Sequence, residues 1–241
     1  MRAQCTLDKY KIFSGSTLKL IAVIAMVADH AAYLLSGDIP LLRMPLLTLG
    51  ETSITVYYLL RRIGRLAFPI FCFLISEGYL HTRNKKRYAR NLLLFALISE
   101  LPFNLMAGGS LFFPGKQNIY FTLLMGLLMI HIAETVPEEW KKALLLLGAA
   151  GLTLLLDADY GLKGALLVLL VYVLRSRSAL RAVLAYPLLS GGLAALAAFL
   201  PISLYNGKRG FIQKPLVKYS FYLFYPLHIL LLLLIRHCIR S

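Results

Sequence analysis

The sequence predicts an all-α fold: a polytopic bundle of about eight transmembrane helices, with residues 1–241 forming one integral-membrane domain. Three observations carry this. Hydrophobic residues make up 59% of the 241-residue chain and charged residues only 15%. The mean hydropathy is +0.72. The charges gather between apolar runs close to the roughly 20 residues that a helix needs to cross a hydrocarbon core. A soluble chain of this size would spread about a quarter of charged residues over its surface.

Apolar runs and their charged borders give spans at residues 17–36, 64–82, 88–107, 118–134, 143–157, 161–175, 180–200 and 218–237. The first contains LKLIAVIAMVADH and has no small-residue cleavage site after it, so it reads as a retained helix and not a removed signal. Residues 40–62 are interrupted by Arg43, Pro45 and Glu51. That stretch is expected to be an amphipathic or re-entrant outer helix. No internal repeat or long linker is visible.

Orientation follows from the loops RNKKRYAR (83–90) and RSRSALR (175–181), which fall on one side together with Lys9, Lys11, Arg236 and Arg240. Basic loops stay cytoplasmic, so this side, with both termini, is expected to face the cytoplasm of the cell inner membrane. Two clusters then sit on the wrong side: Arg61, Arg62 and Arg65, and Lys208, Arg209, Lys214 and Lys218.

Subtracting 11 acidic from 26 basic residues leaves +15. In a soluble protein that excess would point to nucleic acid. Here anionic lipid and topology account for it, and no nucleic-acid partner is expected. Cys5, Cys72 and Cys238 are odd in number and in no CxxC spacing. Neither a disulfide framework nor a metal site is indicated.

Ionisable groups are costly in lipid, so those within the spans are functional candidates. At about 1.5 Å per residue, Asp29, His30, Glu100 and Asn104 fall in outer halves, Asp159 at an outer boundary and His228 near mid-membrane, with Lys19, Glu77 and His81 on the inner side. His30 is the best candidate base, because an imidazole can accept and return a proton near neutral pH. Ten residues separate it from Lys19. On a helix both project from one face, roughly 16 Å apart. Asp29 points about 100° away, so a partner for His30 must come from another span, Glu100 first and Asp159 second.

The alternatives are structural. Glu77 and His81 share a face at i, i+4 and are readable as a plain ion pair. Glu100 precedes Pro102 and is equally readable as an acceptor for backbone donors. His228, in FYLFYPLH, is as readable as a structural histidine of a kinked helix.

Lys19, ten residues and His30 resemble the signature of acyltransferase-3-type membrane enzymes. More broadly, the ordered blocks LKLIAVIAMVADH, IGRLAFPIFCFLISEGYLHTRNKKRYARNLLLFALISELPFN, NIYFTLLMG, DYGLKG, YNGKRG and FYLFYPLHILLL resemble the TraX family, known for N-acetylating an F-type pilin. The resemblance implies acetyl transfer from cytoplasmic acetyl-CoA to an amine or hydroxyl acceptor, a protein N-terminus or a glycan, in or across the membrane.

It implies His30 as the catalytic residue and Lys19 as a donor-positioning one. Arg65, Glu77, Arg90, Glu100, Asn118, Asp159, Lys208 and Arg209 stand in the matching blocks. Chemistry adds expectations for some of these: Arg65 for a developing oxyanion, Glu100 or Asp159 beside the base, and Arg83, Arg87 and Arg90 for the phosphates of CoA. Two other classes compete, a proton-coupled transporter or flippase built on the same acids and histidines, and a noncatalytic assembly factor that would tolerate loss of His30.

Overall fold

The computed structural model describes residues 11–50, 52–213 and 215–241, without the side chains of seven positions, Lys218 among them. Cys5, Lys9, Glu51 and Lys214, used in the sequence reading, lie outside the described residues. Contacts divide the chain into two compact units, Met1–Phe71 with Gly191–Ser241, and Cys72–Ser190.

The first unit is organised by two long apolar helices, α1 (Gly15–Leu35) and a C-terminal helix at Pro215–Arg240. Ser14 caps α1 by accepting from the Thr17 N–H at 3.2 Å. The first helical donors of α1 are satisfied by a distant loop. Gly15 and Ser16 donate their N–H groups to the carbonyls of Lys208 and Arg209 at 2.8 and 3.1 Å, and Ser16 Oγ donates to the same Arg209 carbonyl at 2.8 Å. These are donors that a helix start otherwise leaves unpaired. Gly210 completes the seal, because its φ is +72° and a Cβ there would stand 2.5 Å from Ser16 Oγ.

The two long helices run parallel. Near the start of both, Lys19 Nζ lies 4.7 Å from the centre of the Phe221 ring. Midway, His30 meets His228. Beyond the end of α1, Asp38 accepts from Arg236 Nε at 2.9 Å and Arg240 Nε at 2.6 Å. This corrects two expectations. Lys208 and Arg209 lie at the same end of α1 as Lys19, not at the opposite one. Arg236 and Arg240 lie at the end away from Lys11, not beside it. The cause lies in the expected span 180–200, which does not form one helix. Pro187, the Gly191–Gly192 pair and Pro201 break it into pieces at Ser178–Ala185, Gly192–Leu196 and Phe199–Ser203, since proline removes a donor and glycine weakens a helix interior.

Residues 40–62 also depart from expectation. They form a 3₁₀ turn at Pro40–Arg43, an antiparallel hairpin of β1 (Pro45–Leu49) and β2 (Thr52–Thr55), and the start of α2 (Val56–Gly64). Pro40 and Pro45 lack the N–H a helix needs, while the β-branched Thr52, Ile54 and Thr55 favour a strand. Thr55 caps α2 by accepting from the Tyr58 N–H at 3.0 Å. Where α2 crosses α1, a Cβ on Gly64 would come within 2.3 Å of the Asp29 Cβ.

The second unit begins within α3 (Ala67–His81), whose first residues belong to the other unit, and continues with α4 (Lys85–Gly108), α5 (Ile119–Thr135), α6 (Glu139–Leu156), α7 (Gly161–Val173) and α8 (Ser178–Ala185). Its core joins α5, α6 and α7 through Met125, Met129, Ile132, Ala149 and Ala165. Gly126 lets α5 approach α7, for a Cβ there would lie 2.5 Å from the Val168 Cβ. The chain re-enters the first unit with the short helices α9 (Gly192–Leu196) and α10 (Phe199–Ser203), and the C-terminal helix is α11.

Helix content fits the expected fold class, and the count of about eight spans is not confirmed. Among the described residues three helices are long and apolar enough to cross a membrane: α1, α4 and residues 219–240 of α11. Helices α5 and α7 are apolar but shorter. These features are those of a membrane protein.

Gly126→Ala is expected to overpack the contact between α5 and α7 and to cost about 1–3 kcal/mol, read as a lower unfolding midpoint in detergent. Asp38 supplies a pH test. The hydrogen bond from Arg240, then that from Arg236, holds its carboxyl below the ordinary 3.8. A depressed folded value means that the contribution is complete above the unfolded value and is lost as pH falls through the folded one. Stability should therefore drop in acid below about pH 4 more steeply in the wild type than in Asp38→Asn, whose unfolding midpoint is expected to be lower at neutral pH.

Candidate functional site

The centre of the first unit is the contact between His30 on α1 and His228 on α11. His30 is partly buried and His228 is 5% exposed. His30 Nδ1 lies 2.7 Å from His228 Nε2. The ring planes are within 6° of parallel and their centroids 5.0 Å apart. One turn back on α11, the Phe224 carbonyl lies 2.8 Å from His228 Nδ1.

A carbonyl can only accept, so His228 Nδ1 carries a hydrogen. In a neutral ring the other nitrogen is then an acceptor. His228 Nε2 therefore accepts from His30 Nδ1–H, and the lone pair of a neutral His30 is left on Nε2. One backbone carbonyl thus fixes the tautomers of two imidazoles in series. Tyr225 adds an edge contact to the His30 ring at 6.1 Å.

Beside His30 in sequence, Asp29 accepts from Arg61 at 2.6 Å, and the Arg61 guanidinium lies 5.6 Å from the centre of the Tyr33 ring. This ion pair ties α2 to the helical turn that carries His30. Arg65, at the end of α2, instead runs its aliphatic stem past Gly191, where a Cβ would come within 2.8 Å of its Cβ. Lys19 faces the same helix as His30, with Phe221 and Tyr222 within cation–π range at 4.7 and 5.9 Å. The expected common face of Lys19 and His30 is therefore realised, and α11 is what it meets.

The expectation that Glu100 or Asp159 partners His30 is corrected by His228. Both carboxylates are engaged in the second unit. Glu100 accepts from the Asn118 backbone N–H at 3.0 Å and from the Asn118 side-chain amide. Asn118 is fully buried, where an unmatched donor would be costly. Its own carbonyl oxygen accepts from the Tyr120 N–H at 3.0 Å and starts α5. Asp159 pairs with Lys116 at 3.0 Å on a half-exposed surface and accepts from Thr122 through its carbonyl.

Glu77 and His81 form the i, i+4 pair, at 3.4 Å. Arg83, Arg87 and Arg90 are exposed around the start of α4, and Lys208 and Arg209 are exposed while their carbonyls cap α1. Sequence reasoning missed His228 as the partner and Arg61 as the cation on Asp29. The residue types were visible, but their partners are 198 and 32 positions away.

The apolar helices are those of a membrane protein, and a hydrogen-bonded histidine pair lies between two of them. Residues 14–236 match the TraX protein family, and the chain belongs to that family. It is 32% identical over 251 aligned positions to the "Probable fimbrial assembly protein FimC, serogroup H1" of Dichelobacter nodosus, covering 91% of this chain and 94% of that protein. No solved structure matches.

Glu100→Ala is expected to strand the buried N–H and amide of Asn118 at a cost of about 1–3 kcal/mol. The check is the unfolding midpoint in detergent; an unchanged midpoint would contradict the capping role.

Proposed function

We propose that the chain is an integral-membrane acetyltransferase, with acetyl-CoA as donor and His30 as general base. The observation that carries this reading is the series of hydrogen bonds from His30 through His228 to the Phe224 carbonyl, from which we infer a free lone pair on His30 Nε2. In the proposed reaction an acceptor amine attacks the thioester carbonyl. The new C–N bond forms, and the amine proton passes to His30 Nε2. The C–S bond then breaks, and the leaving thiolate takes the proton back from the imidazolium. While His30 is charged, its Nδ1–H bond to His228 is charge-assisted and stronger, which favours the proton-accepting state.

In the same reading Lys19 helps hold the donor, and a cation from α2 stabilises the oxyanion. Arg65 is the residue expected from sequence for that task, and Arg61 is the one the ion pair with Asp29 brings to the base-bearing turn. The acceptor we infer is the N-terminal amine of a pilus subunit, in line with membership of the TraX family and with a relative named for fimbrial assembly. A hydroxyl of a glycan is the other acceptor class. The reading places the protein in the inner membrane, with the donor drawn from the cytoplasm.

The test uses the purified full chain in detergent and follows thiol release from acetyl-CoA, with and without a peptide amine. His30→Ala should lower turnover by about 10²- to 10⁴-fold, the usual reach of general-base catalysis, with the unfolding midpoint retained. His228→Ala should lower it by a smaller factor, because His30 then samples both tautomers and other ring orientations. Undiminished turnover in His30→Ala would overturn the assignment, and a proton-coupled carrier would show no thiol release at all.

A further inference from the structure

Arg181 stands apart from the other cations of the second unit. It belongs to the basic loop RSRSALR, yet it is only 4% exposed, whereas Arg175 and Arg177 are exposed. Two cations at helix ends have acceptors: Arg175 donates to the Tyr172 carbonyl at 3.2 Å, and Lys85 donates to the Tyr79 carbonyl. Arg181 Nε is buried with no hydrogen-bond partner. Nor does the Arg181 guanidinium figure in any ion pair among the described residues.

Arg181 meets α3 on the face that carries Phe73, Glu77 and His81 at i, i+4 and i+8. Phe73 lies with its ring centre 5.4 Å from the Arg181 guanidinium carbon. Glu77 acts on Arg181 through space, but its carboxylate is taken by His81 at 3.4 Å. The His81 side chain, next along this face, is 43% exposed. A guanidinium Nε–H removed from water and left without an acceptor is unfavourable, and the deficit is made good by an anion that supplies a lone pair in its plane. The planar fork of arginine matches a phosphate bidentately, and an aromatic ring over one face holds that plane.

We propose that Arg181, backed by Phe73, binds the phosphate of a phosphate ester where α3 and α8 meet. Glu77 tunes the preference, because a carboxylate beside the site weakens phosphate binding without abolishing it and accepts from a hydroxyl next to the phosphate. Two sources carry this chemistry, the ribose phosphate of CoA and the headgroup of an anionic lipid such as phosphatidylglycerol. The CoA source rests on the acetyl-transfer reading; the site itself does not.

The experiment measures the unfolding midpoint of the full chain in neutral detergent against inorganic phosphate, with chloride at equal ionic strength as the control. Wild type should be stabilised by phosphate. Arg181→Gln should need about tenfold more phosphate or lose the effect, as expected for a lost charge-assisted contact, and Arg181→Lys should keep part of it. Glu77→Gln should bind phosphate more tightly. Arg181→Met should be no less stable than wild type without phosphate, since it removes an unmatched buried charge.

No phosphate effect in the wild type, or the same effect in Arg181→Gln, would overturn the proposal. So would a large loss of midpoint in phosphate-free Arg181→Met, which would assign Arg181 to a structural pairing with Glu77. Comparing CoA with its 3′-dephospho form, and phosphatidylglycerol discs with phosphatidylcholine discs, identifies the source. The phosphate response should survive in His30→Ala, so failure of acetyl transfer and failure of this site are told apart.

Discussion

The interaction on which the rest depends is the hydrogen bond between two imidazoles held by different apolar helices. It needs α1 and α11 to run side by side in the same direction, so that His30 and His228 come level. The ends of the pair enforce that register. At one end, loop carbonyls of Lys208 and Arg209 receive the first N–H groups of α1. At the other, Asp38 binds two arginines of α11. A slip of one residue on either helix would turn a ring through about 100° and break the contact.

The same economy governs the second unit, where polar groups are spent on holding helices. Glu100 and Asn118 satisfy one another and the start of α5. Thr122, facing Asp159, ties the same turn of α5 to the start of α7. Within an apolar bundle each such match removes a buried donor that would otherwise weigh against the fold. Among the described residues of this unit Asn91, Ser99 and Asn104 also keep a buried unmatched atom, but Arg181 is the one that carries a charge, which is why it, and not the exposed loop arginines, marks a place for an anion.

Much of this was legible in the chain. The long apolar runs gave α1, α4 and α11 nearly to their bounds, and the spacing of Lys19 and His30 gave their common face. The pair Glu77 and His81 followed from i, i+4 alone. What could not be read was any relation spanning the chain: which helix faces α1, and with which residue. Depth alone made Glu100 an attractive partner for His30, because depth contains no lateral information. Hydropathy likewise treated 180–200 as a continuous span, although its prolines and paired glycines interrupt the backbone hydrogen bonding that a spanning helix requires.

The parallel arrangement of α1 and α11 carries a parity rule. A chain that crosses a membrane and must re-enter from its original side has to make an odd number of passages in between. Adding the two flanking helices keeps the total odd, so an even count such as eight is ruled out whenever both helices traverse the bilayer. Under that condition Lys11 and Arg240, which flank the two helices, stand on opposite faces of the bilayer and meet opposite chemistries.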